Sequence, residues 1–285
     1  MRKFLAIVFT LTFALGTQAS SVWKVTNGEK TLYLGGTLHL LSPSDYPLPQ
    51  AYTSAYQASD ILVFETDIGA LSSPEFTRKS MQMLTYGDSG TLQDDVSQTT
   101  LTLLESHLKA RGIPLQHFLK LKPAMVGITL SMLEFQRLGL TSQGVDSYFY
   151  TLSVGDGKPM EWFETPEQQL EFIAGLGRGE EDEYIQYTLQ DVEKMPEMVE
   201  QMKSDWRSGN VDALFDASLK ELSETYPEIY SALLSNRNHN WLPKLKSFLD
   251  TDETEFVLVG TLHMPGTDGV LTLLKQQGYQ IEQIK

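Results

Sequence analysis

The tetrapeptide Gly-Thr-Leu-His occurs twice in the 285-residue chain, as Gly36-Thr37-Leu38-His39 and as Gly260-Thr261-Leu262-His263. An apolar run precedes each copy, Tyr33-Leu34-Gly35 in the first and Val257-Leu258-Val259 in the second. Such a segment reads as a strand ending in a glycine turn that presents a histidine. The chain has only five histidines, so two in one repeated motif constrain the fold. Either the duplicated turns merely cap loops, or the fold brings both imidazoles to one site. Imidazole is the commonest metal ligand and general acid or base, and this favours the second reading. Two ligands of one ion place their rings within about 8 Å of each other.

A second repeat lies between the first pair. Phe64-Glu65-Thr66 and Phe163-Glu164-Thr165 each close an apolar segment with a carboxylate. In α/β sheets the strand ends on one edge line the ligand crevice. The order His39, Glu65, Glu164, His263 therefore predicts an α/β fold with a mixed sheet, pseudo-repeated halves and all four residues on one edge.

Strand signals cluster at the two ends of the chain and helices fill the middle. Asn27-Gly28 separates apolar runs at 22–26 and 30–35, a hairpin whose second strand delivers His39. Ser73-Pro74 and Thr165-Pro166 are helix starts with proline at the first position. Leucines at 101, 104 and 108 have helical spacing, and residues 124–138 form a strongly apolar helix. Asn240 with Pro243 close behind reads as another helix start. The run at 180–183 is a solvated helix N-terminus rather than a metal cluster. His107, His117 and His239 read as structural or surface residues. A β-α-β ending at 256–284 argues for one α/β domain over residues 20–285.

Residues 1–19 read as a signal peptide: Arg2-Lys3, an apolar core at 4–16, and a small-residue site ending at Ala19. Cleavage there starts the mature chain at Ser20, in the periplasm or secreted, with no lipobox. The alternative is an uncleaved anchor, although the core is shorter than the roughly 20 residues of a spanning helix. Removing the segment leaves 20 basic against 37 acidic residues, a net charge of −17. This excess repels nucleic acid, whose binding rests on Lys/Arg clusters, and stable membrane insertion is not expected. The chain has no cysteine, which excludes disulfides, thiol nucleophiles and thiolate metal sites.

The ordered set of motifs resembles the TraB/GumN family and its animal relatives, the TIKI proteins. The matching pieces are Gly36 to His39, Glu65, Gly144-Val145-Asp146, Gly157-Lys158-Pro159 leading to Phe163-Glu164-Thr165, Arg237-Asn238, and Gly260 to His263. The resemblance implies a metal-dependent protease with a peptide or protein substrate. It also implies that Arg237 and Asn238 face the site, to orient substrate or steady the carboxylates.

No His-Glu-x-x-His helix, Gly-x-Ser-x-Gly elbow or phosphate-binding glycine loop occurs. Two chemistries remain. With a divalent ion (Mn, Co or Zn), His39, His263 and Glu65 are the ligands, or Glu65 and Glu164 exchange the roles of ligand and base. Without a metal, a His-Glu pair activates water directly. The rival of a different class is a non-catalytic protein that binds a metal or haem through the two histidines.

Overall fold

A computed structural model describes residues 19–285. The expected signal segment, apart from Ala19, lies outside the described residues. Six strands form one mixed sheet: β1 (Val22–Asn27), β2 (Lys30–Thr37), β3 (Ile61–Thr66), β4 (Met160–Glu164), β5 (Glu255–Gly260) and β6 (Gln280–Gln283). Their spatial order is β4-β3-β5-β2-β1-β6. β2, β5, β3 and β4 are mutually parallel, while β1 runs antiparallel to both β2 and β6.

This order sets the position of everything that follows. The four parallel strands end on the same edge, and they are the four that carry the repeated motifs. Thr37 pairs with Gly260, and Thr66 with Glu164. Each motif thus lies beside its copy with a one-residue offset. The two halves seen in the sequence interleave across the sheet instead of forming separate units.

β5 is buried along nearly its whole length, as expected of an inner parallel strand covered on both faces. Alternation divides its side chains. Val257 and Val259 join a core with Leu34, Val63, Trp241 and Leu245, under the helices Asn236–Phe248 and Val270–Gln276. Phe256 and Leu258 face the other way, against Tyr52, Phe149 and Trp206. A separate core, containing Leu104, Leu130, Ile185 and Val192, holds the helical middle together. Its main elements are the helices Gln98–Ala110, Pro123–Arg137 and Glu181–Ser208.

Most predicted helix starts coincide with caps. The Ser73 side chain accepts from Phe76 N–H, and Thr165 accepts from Gln168 N–H. The start expected at Asn240 is corrected: the helix already runs from Asn236, and Pro243 lies inside it. A π-helical segment, Ser231–Ser235, leads directly into that helix, so no cap is needed at Asn240. Arg237 and Asn238 consequently occupy its first turn. Among the described residues no helix is long and apolar enough to cross a membrane.

Candidate active site

The sequence signals converge at the carboxyl ends of β2, β3, β4 and β5. Gly260 is the hub. Its N–H donates to Glu65 Oε1 at 2.6 Å. A Cβ added there would sit 3.2 Å from Glu65 Oε1, 3.5 Å from His263 Cδ2 and 3.9 Å from His39 Nε2. The two imidazoles therefore lie within the distance expected of a shared site, and a Cβ at 260 would press on Glu65 while only touching the two rings.

Hydrogen-bond partners fix the His263 tautomer. Asn238 Nδ2 donates to the carbonyls of His263 (3.3 Å) and Asp268 (2.8 Å), so its Oδ1 is the acceptor for His263 Nδ1–H at 2.6 Å. The other nitrogen, Nε2, then carries a lone pair, and Arg237 Nη1 donates to it at 3.2 Å. The ring is buried and packs against Trp241, tilted by 37° with centroids 4.5 Å apart. Burial, aided by the Arg237 charge, lowers its pKa to about 4 against the pull of Glu65. His263 is thus a neutral imidazole near pH 7.

Arg237 is saturated. A guanidinium has five N–H donors. Nε and Nη2 donate to the two oxygens of Glu164, each at 2.8 Å. Nη2 also reaches Glu65 Oε2 at 2.5 Å, and Nη1 serves Leu233 O and His263 Nε2. Glu164 receives further donors from Trp241 Nε1 at 2.9 Å and Gln169 Nε2 at 3.2 Å. Burial pushes the Glu65 carboxyl up, but His263, Arg237 and His39 pull it down more strongly, to about 2. Glu65 is therefore a fixed anion and a weak base.

His39 differs. Thr37 Oγ1 and His39 Nδ1 each donate to Asp146, at 2.8 Å, leaving His39 Nε2 without a partner among the described residues. Asp146 lies in the first turn of the helix Val145–Asp156, whose N-cap is Gly144. The Asp146 charge raises the His39 pKa to about 9, opposed by desolvation. The His39 side chain is 67% exposed, so solvent screens part of that attraction.

His39, Glu65, Arg237 and His263 line one side of a cavity of about 370 Å³. Its other walls are largely apolar, from Phe135, Leu140, Val199, Met202 and Leu233 among others. Glu164 and Asn238 stand behind this lining and reach the cavity only through Arg237 and His263. The sequence noticed Asp146 in a motif without giving it a role, and Gln169 and Trp241 carried no signal.

The expected ion ligands are His39, His263 and Glu65. In this arrangement His263 Nε2 and both Glu65 oxygens already have donors, and Arg237 supplies two of them. Among the described residues no three His, Asp or Glu side chains are grouped closely enough to hold an ion. The residues as arranged do not fit a bound metal, because an ion would have to displace the guanidinium.

The family model described as TraB/PrgY/gumN matches residues 21–283. The chain belongs to the TraB/PrgY/gumN family. No curated protein and no solved structure matches it. The site of this TraB/PrgY/gumN protein thus joins both Phe-Glu-Thr copies and the second Gly-Thr-Leu-His copy through one arginine, while His39 of the first copy is held by Asp146.

Proposed function

We propose that this TraB/PrgY/gumN protein is an exported hydrolase that cleaves amide bonds of peptides, with His39 as its proton-transfer group. The observation carrying this reading is the His39–Asp146 pair. Of the site's ionisable groups, His39 alone keeps a ring nitrogen free on the cavity side. Asp146 holds Nδ1–H, which presents Nε2 and stabilises the imidazolium formed on proton uptake.

Water attacks the scissile carbonyl carbon while its proton moves to His39 Nε2. The same nitrogen returns that proton to the leaving amine as the C–N bond breaks. Glu65, Arg237 and His263 form the rigid floor against which the carbonyl is placed, and Glu164 and Asn238 are positioning residues.

A metal-dependent form of the reaction, with His39, His263 and Glu65 as ligands, requires Arg237 to leave the site. The deciding experiment combines elemental analysis of purified protein with a peptide-library cleavage assay, with and without chelator. Chelator-resistant cleavage abolished by His39→Gln supports the proposal. Stoichiometric metal with chelator-sensitive cleavage supports the metal form. Parental turnover in His39→Gln would exclude His39 as the base, and binding without cleavage of any member would favour a binding protein.

A further inference from the structure

The apolar side of the cavity is built mainly by elements other than the strands that carry Glu65 and Glu164. Phe135 comes from the helix Pro123–Arg137, and Leu140 from the turn after it. Val199 and Met202 come from the helix Glu181–Ser208, Leu233 from the π-helical segment, and Leu262 from the turn after β5. Separate parts of the chain thus converge on one apolar surface beside the charged floor.

One cation interrupts this wall, and it is neutralised. Lys203 Nζ lies 3.0 Å from Asp45 Oδ1 and 3.3 Å from Glu200 Oε1. Held by two carboxylates, Lys203 is not free to recognise an acidic side chain. The cavity, at about 370 Å³, falls near the low end of the roughly 300–1,000 Å³ typical of small-ligand sites. It holds one residue-sized group and a scissile bond rather than a long stretch of polypeptide.

We propose that this apolar wall is a specificity subsite for one large apolar group next to the scissile carbonyl, with Met202, Leu233 and Phe135 as its main determinants. The proposal rests on the hydrolase reading for the word substrate, but the binding it describes does not require turnover. Burial of apolar surface supplies the affinity. Close packing supplies the selectivity, because a single methylene in such a pocket changes preference by about tenfold or more. The apolar group is either a leucine-like side chain or a linear acyl chain, and the two have the same surface chemistry.

Ligand-observed NMR titrations of the full chain with acetyl-leucyl-glycine, octanoyl-glycine and acetyl-alanyl-glycine test this directly. The leucyl or octanoyl probe should bind about tenfold or more tightly than the alanyl probe. Tighter leucyl binding assigns the subsite to a side chain, and tighter octanoyl binding assigns it to an acyl chain. Met202→Trp fills the cavity and should cut the preference below about threefold, with the circular dichroism spectrum unchanged. Leu233→Trp, on a different element, replaces it should Met202→Trp not fold. Equal binding of the three probes, or a preference that survives filling in a folded variant, overturns the subsite. A chain that prefers the apolar probes yet cleaves nothing refutes the hydrolase and leaves the subsite standing. Cleavage without side-chain preference removes the subsite alone.

Discussion

Both carboxylate oxygens of Glu164 are held by one edge of the Arg237 guanidinium, each at 2.8 Å. The remaining donors bind Glu65, His263 and the Leu233 carbonyl, so one cation ties β3, β4, the turn after β5 and its own helix together. Arg237→Met would leave two buried carboxylates without their cation. Breaking a buried pair in this way costs about 3–5 kcal/mol. Urea unfolding should show that loss, and Arg237→Lys should recover only part of it, because an ammonium cannot reproduce the planar fork. A parental midpoint in Arg237→Met would refute the clamp.

The pH dependence of turnover should follow the His39–Asp146 pair. A base must be deprotonated, so kcat/KM should rise with pH along a limb displaced above the ordinary histidine value, toward about 9. Asp146→Asn removes the charge that raises it, and the limb should fall toward about 6.5. Turnover should also drop, by as much as about 10⁴-fold, as when the orienting acid of a triad is neutralised. NMR titration of the His39 ring should follow the kinetic limb in both proteins. The shift also carries a stability contribution, present below the unfolded value near 6.5 and lost as pH rises through the folded value. A limb that stays in place in Asp146→Asn would assign it to another group.

The parts of this architecture that were legible in the sequence rest on local signals. Asn27-Gly28 marks the hairpin, the apolar runs mark the inner strands, and the Ser73 and Thr165 caps mark helix starts. The two repeats also located the sheet edge, since parallel strands place their ends together. The division of labour within the site was not legible. Glu65 and Glu164 carry the same tripeptide, yet one lines the cavity and the other stands behind Arg237. That distinction depends on a guanidinium 172 and 73 residues away. An acid in a helix's first turn is ordinarily explained by the helix dipole, so Asp146 gave no sign that it holds His39. Pro243 misled for a related reason, because the π-helical segment that makes a cap unnecessary has no simple sequence signature.

Gly144 is predicted to be indispensable, although its φ of −82° is ordinary. A Cβ there would lie 2.2 Å from the His39 carbonyl carbon and 2.3 Å from the Leu38 oxygen. These are backbone atoms and cannot rotate away. The neighbouring Val145 N–H donates to Leu38 O at 2.9 Å, so the loop carrying His39 is fastened directly to the helix carrying Asp146. Gly144→Ala should separate the pair, costing about 1–3 kcal/mol in stability and most of the turnover. Gly155→Ala, in the same helix but with nothing within 4 Å, should be neutral or stabilising by up to about 1 kcal/mol. Equal behaviour of the two variants in thermal unfolding and turnover would refute the close-approach argument.

Glu255 opens β5, at the end of the sheet away from the site, with only 1% of its surface exposed. Its Oε2 has no hydrogen-bond partner among the described residues, and Thr251 reaches Oε1 only at 3.4 Å. Burial, with added repulsion from Glu253 and Glu161, raises its pKa to about 7 despite the lowering effect of hydrogen bonds. A carboxyl raised in the folded state binds more protons there than in the unfolded chain. Stability is therefore retained below the unfolded value near 4.5 and lost as pH rises through about 7. Glu255→Gln keeps the shape and removes the titration. It should match the parent near pH 4.5 and exceed it at pH 8 by about 1–3 kcal/mol, on the scale of 1.36 kcal/mol per pKa unit. Urea unfolding at the two pH values measures this, and a stability difference independent of pH would show that Glu255 does not titrate as its burial requires.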